Sequence, residues 1–445
     1  MKIVLLILVQ IPNAQSDSKI KIQLMCYEFF GIKGNEADKM KKLLMLGGAN
    51  IQIPAIKAAR EMGHYVITCD YLEDNPGHKY AHEYYNVSTT DKEGVLSLTK
   101  SLKIDGIVCY ASDPAAPTAA FVAEQLNLPS QPYKSVEILS NKDLFREFLQ
   151  KNNFNVPKAK GYHSIEEAQS EFNQFKMPVM LKPVDSSGSK GVSKINSINL
   201  LQEKAEYALS FSRANRFIVE EFIEKSGYQV SGDGFSVNGE LVFRCFANNH
   251  YEIDTTNPFV PVGASWPYNM PERIHKEIHN EIQRVLNLLK MNSGAYNFEV
   301  FIDHDENIFI MEIGARNGGD WLPQVIQYAT GVDMAKYTIK VALGEDCSDL
   351  KMVEPKGYWS VYVINSKKNG IFEGIEIQDE LKNNIVEYEM FVNKGDIVST
   401  FTGAHDKLGM MILNFKSMDE MLFKMDNMSK YIELILNENL INNIY

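Results

Sequence analysis

Two glutamates, Glu299 and Glu312, have the type and spacing of a cation site. They lie in two apolar segments that are predicted to be strands, joined by a polar turn at Asp305 and Glu306. If the hairpin is symmetric about this turn, the two carboxylates face each other, and facing like charges destabilise a sheet. Mg²⁺ is commonly bound by one or two carboxylates together with phosphate oxygens. The pair therefore predicts a Mg²⁺ site, and the alternative is two solvated glutamates on an exposed hairpin.

A second segment, Pro178 to Val192, combines an apolar strand that ends near Lys182 with a loop of small residues. Such a loop can turn its backbone N–H groups toward phosphate oxygens. It is not a Walker loop, because the Gly-Lys-Ser/Thr ending and the following helix are absent. The segment predicts a phosphate-covering loop, and the alternative is a flexible hairpin with solvated lysines.

A third segment, Phe217 to Ile223, is a predicted strand that closes on Glu220 and Glu221. It is interpreted either as a domain hinge whose backbone contacts an adenine edge or as a strand end with two solvated acids.

The composition and the net charge of the chain argue against some classes of function. The chain has 445 residues, too many for one simple core, and a formal net charge of −12. This charge argues against general nucleic-acid binding, which requires a basic face. Five scattered cysteines without a Cys-x-x-Cys pair favour reduced thiols over a disulfide framework or a zinc site. We therefore expect a cytoplasmic protein with no nucleic-acid or membrane partner.

The first 39 residues are predicted to be a poorly structured extension, upstream of a natural start at Met40. The alternative is secretion, because Lys2 and the apolar run that follows it are similar to a short signal-peptide core. That run is too short to span a bilayer, which takes about 20 apolar residues.

The remaining chain is predicted to have three parts. Strands and helices alternate from residue 40 to 130, which indicates parallel βαβ units. Residues 131–348 form the second part, with a lid at about 157–222 and a long irregular stretch at about 250–271 that contains Pro258, Pro261, Gly263 and Pro267. Residues 349–445 form a β-rich C-terminal module with a last helix near 418–436. This module is expected either to shape the pocket or to form a homodimer interface.

Taken in order, these segments resemble the ATP-grasp superfamily of carboxylate–amine ligases over about residues 40–445. The ordered features are a βα pre-domain, a helix carrying Lys142, the strand ending at Lys182, the loop 185–191, the hinge 220–223, and the hairpin followed by Arg316. Residues 255–345 are most similar to the branch that contains L-amino-acid ligases. The pre-domain is also similar to those of carbamoyl-phosphate synthases, biotin carboxylases and purine-pathway ligases.

The resemblance implies a fold of the α/β and α+β class. It comprises a Rossmann-like pre-ATP-grasp domain, a β-rich lid and a C-terminal α+β module. It also implies ATP and Mg²⁺ (or Mn²⁺) as cofactors. The residues implied to bind the nucleotide are Lys142, Lys182, Ser186, Ser187, Gly188, Ser189, Glu220, Glu221, Phe222, Ile223 and Gln229. Glu299, Glu312 and Asn317 are implied as metal ligands. Arg316, which would bind the substrate carboxylate, and Lys182 are implied as catalytic residues.

Two positions depart from the pattern of the superfamily. The second metal glutamate is commonly followed two positions later by asparagine, but Gly314 occupies that place here. A second Mg²⁺ is then held more weakly, or Asn317 substitutes. The ribose-binding acid after the hinge is replaced by Gln229, which carries no charge.

The predicted function is an ADP-forming ligase that activates a small carboxylate as an acyl phosphate for attack by an amine. Amino acids are candidate substrates. One alternative is a carboxylase or purine-type ligase, although no obvious basic constellation for a ribose phosphate is present. Another alternative, from a different class, is an ATP-binding protein that has lost catalysis.

Overall fold

The computed structural model describes residues 40–252, 254–403 and 406–437, and the predicted extension 1–39 lies outside them. The described residues from Lys41 to Asn437 form one compact unit. Within the described part of the chain, no helix is long and apolar enough to cross a membrane.

The α-helices alternate with strands over most of the chain. They are α1 (Ile53–Glu61), α2 (Lys92–Leu102), α3 (Ala116–Gln125), α4 (Tyr133–Ser140), α5 (Lys142–Lys151), α6 (Ile165–Glu171), α7 (Leu201–Leu209), α8 (Glu272–Leu288), α9 (Leu322–Thr330), α10 (Met334–Ala342), α11 (Asp379–Lys382) and α12 (Met418–Met425).

The first sheet is parallel and has the strand order β3-β2-β1-β4. Its strands are β1 (Lys42–Leu46), β2 (Tyr65–Asp70), β3 (Glu83–Asn86) and β4 (Gly106–Cys109). Strands β1, β2 and β4 are rich in buried aliphatic side chains, and helices pack on both faces of the sheet. The loop after β4 leads through a short 3₁₀ turn, Asp113–Ala115, into α3. Asp113 therefore lies at the carboxyl edge of this sheet.

A small antiparallel sheet forms the predicted lid, with the order β5-β8-β6-β7. Its strands are β5 (Ala159–Tyr162), β6 (Val179–Pro183), β7 (Ser193–Ile195) and β8 (Phe217–Glu221). The sheet has a core of its own, in which Tyr162, Leu181 and Phe217 pack against α6 and α7. It carries both Lys182 and Glu220, on the neighbouring strands β6 and β8.

The central element is an eight-stranded sheet with the order β13-β12-β9-β10-β11-β14-β18-β16. Its strands are β9 (Gln229–Val237), β10 (Glu240–Tyr251), β11 (Pro261–Trp266), β12 (Gly294–Ile302), β13 (Ile308–Gly314), β14 (Tyr358–Ile364), β16 (Ile385–Met390) and β18 (Gly409–Phe415). Successive residues of β10 enter different core clusters: Cys245 and Ala247 enter one and Phe246 the other. The sheet is therefore covered on both faces, as alternation along a strand requires.

The C-terminal residues add β15 (Gly370–Ile377), β17 (Ile397–Val398) and β19 (Ile432–Asn437), which form a three-stranded sheet. The strands β14, β16 and β18, however, belong to the central sheet. The predicted boundary at residue 349 thus falls between two strands of one sheet, and the division into domains stays a prediction.

Two local predictions are wrong. The stretch 250–271 is not irregular throughout, because β11 pairs with β10 and β14 inside it. The last helix ends at Met425, and the second half of the predicted helix contains β19.

Candidate active site

The hairpin of β12 and β13 places Glu299 directly opposite Glu312, as the symmetric turn predicted. A bulge follows Glu299 in the register. Burial and the neighbouring Glu312 carboxylate raise the pKa of Glu299 to about 7. Two carboxylates that face each other on neighbouring strands repel each other and destabilise the sheet. Their oxygens are the hard donors that Mg²⁺ prefers.

Lys142 connects this hairpin to the predicted phosphate-covering loop. It is the first residue of α5, and its Nζ lies 3.0 Å from Glu312 Oε2 and 2.9 Å from the carbonyl oxygen of Ser186. Burial alone would lower the pKa of Lys142, but the Glu312 carboxylate outweighs it and the pKa is raised. The Lys142 ammonium therefore stays positively charged, as an interaction with phosphate oxygens would require.

Lys182 and Glu220 form a buried ion pair in the lid sheet. Lys182 Nζ lies 2.7 Å from Glu220 Oε1, and Arg146 Nε donates to the other carboxylate oxygen at 2.6 Å. Burial raises the pKa of Glu220, but the two cations outweigh it and hold the pKa at about 2. Arg146 also donates to the Met311 carbonyl of β13 at 2.8 Å, so this cluster joins the lid to the Glu312 strand.

The loop 185–191 is folded by backbone conformations that favour glycine. Gly188, Ser189 and Gly191 all have positive φ. Ser189 is also held from outside the lid: its Oγ donates to the Phe259 carbonyl at 2.8 Å, and its own carbonyl accepts from Asn257 Nδ2 at 3.1 Å. Ser187 lies in the same turn, between the two anchored serines. The loop is therefore docked on the segment that follows β10.

The predicted hinge residues make hydrogen bonds within the lid and also line a second cleft. Glu221 Oε1 accepts from the Lys176 backbone N–H at 2.8 Å, and the Phe222 N–H donates to the Pro178 carbonyl at 3.0 Å. Glu221, Phe222 and Ile223 line a cleft of about 390 Å³ together with the turn of the Glu299–Glu312 hairpin.

Gln229 lies beside Glu299, on the neighbouring strand β9. Its Nε2 is 3.4 Å from Glu299 Oε2, while its Oε1 accepts from Tyr251 Oη at 2.5 Å and from Lys225 Nζ at 3.3 Å. Lys225 was not predicted from the sequence. It follows the hinge by two residues, and its Nζ lies 5.0 Å from the ring centre of Phe301, on the Glu299 strand.

Arg316 is engaged by a carboxylate from the first sheet. Its Nε and Nη2 donate to Asp113 Oδ1 and Oδ2 at 2.7 and 2.6 Å, and its Nη1 donates to the Asn317 carbonyl at 3.1 Å. Burial raises the pKa of Asp113, but Arg316 outweighs it and the pKa is lowered. Asp113 and Arg316 are 203 positions apart in the sequence, and local sequence pattern does not reveal such a contact.

Among the described residues, no hydrogen bond connects the Asn317 side chain to Glu299 or Glu312. Its Oδ1 accepts from Thr338 Oγ1 at 2.8 Å, and its Nδ2 is buried without a partner. In residues 40–252, 254–403 and 406–437, no group of three or more His, Cys, Asp or Glu side chains could hold a metal ion. The predicted metal site therefore rests on Glu299 and Glu312.

A cavity of about 470 Å³ opens beside these groups. Its lining includes Lys142, Ser186, Glu312, Gly314 and Asp113. Further lining residues include Lys92, which begins α2, and Arg213 and Arg216 of the lid. The cavity therefore connects the loop after β4, the phosphate-covering loop and the Glu312 strand.

Comparison with known proteins agrees with this architecture. Residues 175–324 match the family described as ATP-grasp domain. The protein y4rH of Sinorhizobium fredii is 26% identical over 326 residues, which are 70% of this chain and 66% of that one. Formate-dependent phosphoribosylglycinamide formyltransferase of Actinobacillus pleuropneumoniae is 22% identical over 397 residues, covering 86% of this chain and 94% of that one.

Among solved structures, L-amino acid ligase from Bacillus licheniformis superposes with a TM-score of 0.75 at 21% identity, covering 90% of this chain and 100% of that one. The chain carries an ATP-grasp domain and has the ATP-grasp fold. The predicted fold class is therefore confirmed.

Proposed function

We propose that this protein is an ATP-dependent, ADP-forming ligase that joins a small carboxylate to an amine. The observation that carries the proposal is the position of Lys142. Its ammonium contacts both the phosphate-covering loop at Ser186 and the carboxylate of Glu312, which faces Glu299. A lysine shared between a loop of this type and paired carboxylates fits a metal-bound polyphosphate.

Glu299 and Glu312 would hold Mg²⁺, which supplies charge neutralisation at the phosphoryl oxygens. Lys142 and Lys182 would contact the phosphates from either side, and Ser186 to Ser189 would cover them with backbone N–H groups. The raised pKa of Glu299, which burial and the Glu312 carboxylate cause, fits this role, because a bound cation would favour the charged form of that carboxylate.

The reaction is proposed to have two steps. In the first step, a substrate carboxylate oxygen attacks the γ-phosphorus, the bond to the β-phosphate oxygen breaks, and ADP leaves. Arg316 would orient this carboxylate, since its guanidinium matches two oxygens. In the second step, an amine attacks the acyl carbon, the C–O bond to phosphate breaks, and the amine loses a proton. The loop 185–191 would keep water away from the acyl phosphate.

Amino acids are the proposed substrates, supported by the similarity to L-amino acid ligase over 90% of the chain. A second candidate is formate with a phosphate-bearing amine. The similarity to the formyltransferase extends over 86% of the chain, and Lys92, Arg213 and Arg216 line the cavity. Both candidates share the acyl-phosphate chemistry. We further propose a cytoplasmic location, supported by the free thiols of Cys69, Cys109, Cys245 and Cys347.

The test is Mg²⁺-dependent ADP release by the full chain against a matrix of carboxylates and amines. The matrix contains amino acids, formate, bicarbonate and ribose-phosphate amines, and products are identified by mass. Release is expected only when a carboxylate and an amine are both present. Glu312→Gln is expected to reduce it by about 100-fold or more, as loss of a preorganised charge at a transferring phosphoryl group does.

Glu306→Gln is the matched control, because Glu306 lies in the turn of the same hairpin and pairs with Arg273 at the surface. It is expected to leave the rate within about twofold, as surface substitutions usually do. ATP binding without release for any pair would contradict the ligase and leave a nucleotide-binding protein.

A further inference from the structure

We propose that Asp113 is the positioning residue for Arg316, contributed by the first sheet to the site where the carboxylate is activated. We also infer that Gly314 is required because it leaves room for this pair. The inference deepens the proposed function and rests on it, since it assigns an orientation to the arginine of that site.

The Asp113–Arg316 contact is a bidentate ion pair between a carboxylate and a guanidinium. Both Asp113 oxygens accept, one from Nε and one from Nη2, at 2.7 and 2.6 Å. The two side chains are 22% and 9% exposed. Bidentate, charge-assisted bonds in such a setting fix the plane of the guanidinium as well as its position.

This geometry leaves two N–H groups of the Arg316 guanidinium available to a ligand. A guanidinium has five N–H donors. Asp113 uses one on Nε and one on Nη2, and the Asn317 carbonyl uses one on Nη1. The hydrogen bonds described leave one N–H on each terminal nitrogen, which is the number that a carboxylate or a phosphate needs. Asp113 thus occupies one side of the guanidinium and leaves donors for an oxyanion.

Gly314 explains how the pair fits next to the metal-site strand. A Cβ at position 314 would lie 2.9 Å from Asp113 Oδ1 and 3.0 Å from Arg316 Cζ. Real Cβ atoms are essentially never closer than 3.0 Å to such neighbours, so a side chain here would force the Asp113 carboxylate to shift and would crowd the Arg316 guanidinium. Where the superfamily commonly has an asparagine, this chain has space that the Asp113 carboxylate fills.

The pair is also in the right place to act on a substrate. Asp113, Gly314 and Glu312 all line the 470 Å³ cavity, together with Lys142. Arg316 contacts two of these lining residues, since its guanidinium bonds to the Asp113 carboxylate and lies against Gly314. The two roles differ in what they predict: a structural pair affects stability alone, and a positioning pair affects the carboxylate selectively.

The test compares Asp113→Asn and Gly314→Ala with the wild-type full chain. Three quantities are measured: the melting temperature, the affinity for MgADP, and the KM for the carboxylate of the stimulating pair. Asp113→Asn is expected to raise this KM by about tenfold, the usual effect of losing one charge-assisted interaction, while MgADP affinity stays within about twofold. Gly314→Ala is expected to change the KM in the same direction. In the double variant the two effects should not multiply, because both act on one contact.

Asp105→Asn is the matched control, since Asp105 is also an acid next to β4 but accepts only a backbone N–H, from Lys42 at 2.7 Å. It is expected to leave the KM unchanged. A carboxylate KM that does not change in Asp113→Asn, or that changes only in proportion to MgADP affinity, would overturn the inference.

A second readout separates this inference from the ligase proposal. Inorganic phosphate is titrated into protein saturated with MgADP, which requires no turnover. Wild-type protein is expected to bind phosphate, and Asp113→Asn and Gly314→Ala are expected to bind it about tenfold more weakly. If phosphate binds in this way but no pair supports turnover, the ligase proposal fails and the positioning role stands. Equal phosphate affinity in the variants, or no binding by wild-type protein, would refute the positioning role.

Discussion

Glu220 is a buried carboxylate that lies between two cationic side chains. It is 2% exposed and receives Lys182 on one oxygen and Arg146 on the other. A buried carboxylate is tolerable only with such partners, and removing it leaves two neighbouring cations without an anion. Its effect on Lys182 is therefore to hold that ammonium in place at the edge of the proposed nucleotide site.

The ionisation of Glu220 is expected to make the free energy of unfolding depend on pH. The folded pKa of about 2 is lower than the ordinary value of 4.5, so the ionised carboxylate stabilises the folded state above about pH 4.5. That contribution is lost as the pH falls through 2. The shift corresponds to roughly 3 kcal/mol.

Glu220→Gln should therefore lower the free energy of unfolding by about 3 kcal/mol at pH 7, and the difference from wild type should shrink as the pH falls from about 4.5 toward 2. Urea unfolding at several pH values measures this. Glu221→Gln is the control, because that carboxylate accepts only the Lys176 N–H. A difference between Glu220→Gln and wild type that is constant with pH would refute the explanation.

At the scale of elements, the phosphate-covering loop is held by a contact from another part of the molecule. Asn257 Nδ2 donates to the carbonyls of Ser189 and Thr402, at 3.1 and 2.9 Å. The side chain thus links the lid to the segment between β10 and β11 and to the C-terminal residues. Active-site loops often open and close on ligands, so we expect this link to affect how well the loop excludes water.

Asn257→Ala is expected to loosen the loop without unfolding the lid, which has its own core. The expected result is a several-fold rise in the KM for ATP and more ADP released per product molecule, because water reaches the acyl phosphate. Comparison of ADP and product formation measures this ratio. The exposed Asn199→Ala on the lid surface is the control. An unchanged ratio in Asn257→Ala would show that the contact does not affect closure.

The elements also show which features of the structure can be predicted from the sequence and which cannot. The register of Glu299 with Glu312 was predictable, because two apolar segments and one polar turn define a hairpin. The strand β11 was missed because Pro261 and Gly263 indicate a loop, although proline is accepted at the first position of a strand. The contact of Asp113 with Arg316 was not predictable, since it depends on how two sheets pack.

At the scale of the whole molecule, the C-terminal residues complete the central sheet. Strand β14 pairs with β11 on one side and with β18 on the other. Met411, Ile412 and Leu413 of β18 are fully buried, and each such side chain contributes about 1.5–3 kcal/mol. The hydrophobic core therefore continues across the predicted boundary at residue 349.

A chain that ends at residue 348 is accordingly expected not to fold, because it exposes the edge of β11 and the apolar surface that β14 and β18 cover. Near-ultraviolet circular dichroism and urea unfolding, with the full chain as reference, measure this. A truncated chain that unfolds cooperatively with wild-type MgADP affinity would show instead that the C-terminal residues are an independent module.

The central claim is that ATP phosphorylates a carboxylate in the site formed by Lys142, Glu299, Glu312 and Arg316. The most direct measurement uses ¹⁸O-labelled carboxylate with the pair that supports ADP release. An acyl phosphate requires that one carboxylate oxygen leave with the phosphate, so one ¹⁸O is expected in each inorganic phosphate formed. Product and ADP formed in equal amounts, with no label in the phosphate, would contradict it.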